Sequence, residues 1–146
     1  MDDLNEIGKV MDPEITYGSL SDNDIYTFMS AARKGIKYSK FLEIANLSPF
    51  DILDWSSFLH LSERTLQRYK KEQGTFDVLH SELIIQLTLL FKYGNEVFGN
   101  KDYFNTWLNS VNLALGSIKP KQLLDSYFGI ELIKDELTRI EHGVLA

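Results

Sequence analysis

From Asp77 to Phe98 the chain runs through roughly six helical turns without a proline, and its apolar residues leave no polar face. Val78, Leu79, Leu83, Ile84, Ile85, Leu87, Leu89, Leu90, Phe91, Val97 and Phe98 are spread around nearly the whole helical wheel. A helix of this kind must be covered on several sides, either by the rest of a 146-residue chain or by a second subunit. Its most apolar stretch, Leu83–Phe91, is far shorter than the roughly 20 residues that cross a bilayer. The opening Met1-Asp-Asp-Leu-Asn-Glu6 is not basic and then apolar, so no signal peptide is expected. The expectation is a cytoplasmic protein with no membrane partner.

The rest of the sequence also reads as helix. Only three prolines occur, and no alternating runs are bounded by hairpin turns. Apolar residues make up 44% of the chain, enough for a packed interior. Residues 1–30 read as an acidic, flexible arm, broken by Asp12-Pro13, Tyr17-Gly-Ser19 and Asp22-Asn-Asp24. Short helices are expected over Ile25–Arg33 and Ser39–Ala45. Ser48, with Pro49 and Asp51 behind it, predicts a helix start running to Leu59. Ser62 predicts the cap of a helix to Lys71, ended by Gly74. The long helix stops at Gly99, and Asn100 caps another to Asn109. A loop over Val111–Lys119, a short helix from Pro120 to Tyr127 and a last helix from Gly129 to Glu141 complete an all-α chain. In that last helix Ile130, Ile133, Leu137 and Ile140 fall within about 80° of one another, with Gly143 as the stop.

The net charge is −6, an unpromising total for a nucleic-acid binder, but the charge is unevenly spread. Residues 1–30 carry −6, residues 31–76 carry +3 and residues 77–146 carry −3. The positive segment holds a candidate helix-turn-helix, Pro49–Leu59 followed by Ser62–Lys71. On the second helix Gln67, Arg68 and Lys71 fall within about 60° of Arg64, whereas Leu66 and Tyr69 lie about 140–200° away, toward a core. Arginine reads guanine bidentately, glutamine reads adenine in the same way, and lysine anchors phosphate. Ser62 and the helix N-terminus suit a phosphate oxygen. The candidate DNA-contacting set is therefore Ser62, Arg64, Thr65, Gln67, Arg68 and Lys71. An ordinary solvated basic face is the competing reading, and Glu63 is unfavourable beside phosphates.

No catalytic set stands out. With no cysteine, disulfides, thiolate nucleophiles and most zinc sites are excluded. His60, His80 and His142 show no metal-binding spacing, and no phosphate-binding glycine loop is present. Neighbouring Glu141 and His142 point about 100° apart on a helix, which is poor geometry for an acid–base pair. A protein that is not an enzyme, with no cofactor and no metal, is expected.

Five pieces in order define the C-terminal half: Glu96-Val-Phe-Gly99, Trp107-Leu108, Asn112 with Ala114-Leu-Gly116, Pro120 with Leu123-Leu-Asp125, and Arg139-Ile-Glu-His-Gly143. This series resembles the toxin-binding domain of the Xre/MbcA/ParS antitoxins over about residues 90–146. With an Xre-like helix-turn-helix upstream, the resemblance extends over roughly 31–146. Leu113 stands where the family often has proline, and Leu145 where an aromatic is frequent. After the N-terminal arm (1–30), which the resemblance does not cover, it implies a DNA-binding region (31–76) and a dimerisation and toxin-binding domain (77–146). It further implies a homodimer that represses its own operon at operator DNA and covers the active site of a RES-domain toxin, an NAD-consuming or ADP-ribosyltransferase-like enzyme. The toxin-contacting residues implied are Trp107, Asn112, Arg139, Glu141, His142, Gly143, Val144, Leu145 and Ala146. Glu141 and the terminal carboxylate would meet basic groups of the toxin's NAD pocket. The competing reading is a dimeric helix-turn-helix regulator with no toxin partner.

Overall fold

Helix ends in this chain are set by short polar side chains that satisfy the first backbone N–H groups. Ser21 caps helix α1 (Asp22–Lys34), where the Asp24 carboxylate in turn accepts from the Ser21 backbone N–H. The triplet Asp22-Asn-Asp24, expected as a break, is thus the helix's first turn: its carboxylates favour the positive end of the dipole. Helix α2 (Tyr38–Leu47) follows. Helix α3 (Ile52–Leu59) is capped by Asp51, reciprocally with Asp54, and not by Ser48. Ser48 instead closes α2, and Pro49 lies in the connecting turn.

Helix α4 (Glu63–Glu72) is capped by Ser62 as expected, and helix α5 (Val78–Phe98) is capped by Asp77, the residue from which the sequence starts it. The Asp77 carboxylate is held below its usual range, first of all by the hydrogen bond from the His80 backbone N–H. Asn100 caps helix α6 (Lys101–Leu108). The segment beyond it holds two 3-10 turns, Leu113–Leu115 and Pro120–Leu123. Helix α7 (Tyr127–Glu141) begins two residues before its expected start, because Ser126 caps it through the Gly129 N–H. The computed structural model describes Gly8 and residues 17–143; among these there are seven α-helices and no sheet, so the fold is all-α. None of these helices is long and apolar enough to cross a membrane.

Helix α5 is the axis of the molecule. It packs on α1, α6 and α7. Ser81, fully buried on α5, accepts from the Ile36 N–H (2.9 Å) and donates to the Phe76 carbonyl (3.2 Å), which ties the α1–α2 and α4–α5 links together. Phe41, Trp55 and Phe76 pack edge to face at ring separations near 5.2 Å beneath α2–α4. At the other end α6 crosses α5 at Gly94, where a Cβ would sit 2.2 Å from the Phe104 ring, so only glycine permits that approach. Ile130, Ile133 and Leu137 of α7 are buried as their stripe predicts. Phe41, Trp55, Phe76, Phe104, Ile130, Ile133 and Leu137 belong to one continuous apolar core. The chain covers most of α5 by itself, but Val78 and Leu79 stay exposed, at 44% and 76%.

Candidate functional site

The helix-turn-helix is built locally. His60 takes a left-handed conformation (φ 54°) that ends α3, and the Leu61 N–H donates to the Ser56 carbonyl at 3.1 Å. Three residues, His60-Leu61-Ser62, then turn the chain into α4, a length this motif uses. On α4 Leu66 is 1% exposed, and Tyr69 packs edge-on against Phe76 at 4.9 Å. Arg64, Gln67, Arg68 and Lys71 are all exposed, as the wheel requires. The Arg68 guanidinium lies 5.8 Å from the Tyr69 ring centre, which steadies it over the helix. Ser62 and Thr65 are engaged with each other: Ser62 Oγ accepts from the Thr65 N–H at 3.0 Å and lies 2.9 Å from Thr65 Oγ1. The geometry groups four long polar side chains on one outward face, with the cap hydroxyls already occupied at its start.

The residues implied to meet a toxin fall on different elements. Trp107 is half-buried between Phe98 (5.5 Å) and Phe104 (6.1 Å), so much of its indole packs inward. Asn112 shapes the loop after α6: its Oδ1 accepts from the Ala114 N–H at 2.9 Å and its backbone N–H donates to the Ile118 carbonyl at 2.9 Å. Exposed apolar side chains flank this region, Tyr103 at 64%, Val111 at 63% and Leu113 at 84%.

Arg139, Glu141, His142 and Gly143 are exposed at the end of α7, and Gly143 ends the helix with φ 69°. Two of them hold partners within the chain. Arg139 donates to Glu136 at 2.7 Å, and Glu136 is itself 8% exposed. Glu141 accepts a short hydrogen bond from the Tyr93 hydroxyl of α5. Burial, and then the Glu141 carboxylate, push the Tyr93 hydroxyl above its usual range, so it remains a donor. Val144, Leu145 and Ala146 lie outside the described residues.

Two contacts that spacing does not reveal join the halves of the molecule. Lys121 Nζ lies 2.8 Å from Asp54 Oδ2, with both side chains mostly buried. His60 Nε2 lies 2.6 Å from the Asp125 carbonyl, which can only accept, so the ring carries its hydrogen there. Their sequence separations leave no local signal. Among the described residues no three His, Asp or Glu side chains gather as a metal site needs.

Comparison with known proteins bears on both regions. Residues 27–88, from within α1 to the first half of α5, match the antitoxin Xre-like helix-turn-helix domain. Residues 94–143, from the last part of α5 to Gly143, match the antitoxin Xre/MbcA/ParS C-terminal toxin-binding domain. The chain is also similar to Antitoxin Xre of Photorhabdus laumondii subsp. laumondii, 26% identical over 105 residues, or 71% of each chain. With a helix-turn-helix match and a toxin-binding match adjoining on one helix, in that order, the chain belongs to the Xre/MbcA/ParS-type antitoxins.

Proposed function

We propose that this antitoxin silences a RES-domain toxin, an NAD-consuming or ADP-ribosyltransferase-like enzyme, by covering its active site with the C-terminal end. The observation that carries this reading is the end of α7, where the matched toxin-binding segment finishes in exposed residues beyond the last buried side chain, Leu137. His142 and Gly143 are exposed there, and Val144, Leu145 and Ala146 would add small apolar groups. Trp107 and Asn112 support the domain behind this end. The antitoxin itself turns nothing over.

The same chain represses its own operon through the outward face of α4. Arg64, Gln67, Arg68 and Lys71 read bases and phosphates, with Ser62 and Thr65 at the helix start. Residues 31–76 form the DNA-reading region and residues 77–146 dimerise and hold the toxin, whereas the last part of residues 1–30 is no arm but the start of α1, packed on α5.

The homodimer is supported by an apolar surface shared by three helices: Ile25 and Met29 of α1, Val78 and Leu79 of α5, and Tyr127 of α7. Grooves of about 380 and 280 Å³ open on it, and Glu82 and Gln86 line both. Arg33 and Glu82, of opposite charge, both line the larger groove.

The test is co-purification of the tagged chain with its toxin, followed by NAD turnover with and without the antitoxin. A stable complex with suppressed turnover is expected, and deleting residues 142–146 should restore NAD consumption. A truncated chain that still suppresses turnover fully overturns the covering mechanism. Failure to capture any toxin would favour a dimeric helix-turn-helix regulator instead.

A further inference from the structure

We infer that Glu141 is a positioning residue: its hydrogen bond from Tyr93 is a latch that fixes the last turn of α7, and the carboxylate does not meet the toxin. This deepens the proposed role of the C-terminal end and rests on it. Glu141 is the last residue of α7, and Tyr93 lies on α5, 48 positions away. A carboxylate at a helix C-terminus faces the negative end of the helix dipole, so an unpartnered Glu141 would favour fraying. The Tyr93 hydroxyl offsets that repulsion with a hydrogen bond to a charged acceptor, among the stronger kinds.

The surroundings leave the hydroxyl little choice. It lies 3.3 Å from Thr138 Oγ1, one turn earlier on α7, but Thr138 gives its own hydrogen to the Lys134 carbonyl at 3.0 Å. Thr138 can therefore only accept from Tyr93, as Glu141 does. The Tyr93 ring is buried and braced edge to face by Tyr17 at 5.5 Å. Tyr17 is held in turn by the Gln86 carbonyl and by Lys134 Nζ, 4.3 Å from its ring centre. One turn back, Arg139 is tied to Glu136 at 2.7 Å. The two charged side chains of this end thus face their own chain, and the contact surface left to the toxin begins at His142.

A double-mutant cycle separates a latch from a direct contact. The toxin that co-purifies with the full-length chain is titrated against the wild type, Tyr93→Phe, Glu141→Met and the double variant. Each single change is expected to weaken toxin binding about tenfold, and the double change no further, because all three remove the same hydrogen bond. Both substitutions nearly keep the side-chain length, and operator affinity should stay at its wild-type value with at most a small fall in melting temperature, which sets this apart from loss of fold. The latch is overturned if Glu141→Met weakens binding further in the Tyr93→Phe background, or if neither single change alters it. A chain ending at Glu141 serves as the control. If it binds toxin as tightly as the full chain, the C-terminal reading itself fails; if it binds weakly while the point variants do not, only the latch fails.

Discussion

Ser48 shows how one hydroxyl can determine the entry to a helix-turn-helix. It is 4% exposed, and its Oγ accepts from the Phe50 N–H and the Trp55 indole N–H, each at 3.2 Å, while donating to the Ala45 carbonyl at 2.7 Å. Trp55 is fully buried, so without Ser48 its N–H would be left unpaired in the core. Ser48→Ala should therefore destabilise the fold by about 2–3 kcal/mol, read from urea denaturation. Removing the true cap with Asp51→Ala should cost only about 1 kcal/mol, because that site faces solvent and water can replace the carboxylate. If the two losses are equal, Ser48 is acting as no more than a surface cap. The same residue marks a limit of local pattern. Ser48-Pro49 and Asp51 offer two rival helix starts three residues apart, and the indole, not the capping motif, claims the serine.

At the scale of the element, much of the fold was legible in the sequence. Ser62, Asp77, Asn100 and Gly99 mark helix ends by chemistry that acts within one turn, and these caps lie where the residues place them. The outward face of α4 was legible for the same reason, since Leu66 and Tyr69 fix which side turns inward. Two features were not: the start of α1 at Asp22, where acidic residues resemble a turn, and Ser126, whose cap hides behind the apolar Tyr127-Phe128 pair. The latch from Tyr93 was out of reach, because nothing local links residues 48 apart. For α4, substitution gives the direct check. Arg64→Ala and Arg68→Ala should each cost about 1–3 kcal/mol of operator affinity if they read bases, or lower the salt dependence by about one phosphate contact if they do not. Toxin affinity should be unchanged in both, and a parallel loss of toxin binding would mean that α4 is not an independent DNA surface.

At the scale of the whole molecule, this toxin-neutralising, DNA-binding antitoxin places both activities on one framework. The helix-turn-helix match ends on α5, the toxin-binding match begins on it, and Lys121–Asp54 and His60–Asp125 brace the two from the side. Subunits joined along α5 would therefore fix the spacing of both recognition helices, which operator half-sites require. Leu79 tests that arrangement best. At 76% exposure it contributes little to the monomer, yet it lies in the middle of the apolar surface formed by α1, α5 and α7. Leu79→Glu should leave the melting behaviour of the monomer intact while burying a charge at each copy of a two-fold contact, a severe penalty for association. Sedimentation should then show a dimer for the wild type and a monomer for the variant at the same concentration, and operator affinity should fall with the loss of the second half-site. A variant that remains dimeric would place the contact elsewhere. A wild-type chain that sediments as a monomer would mean that DNA or toxin must bring the two copies together.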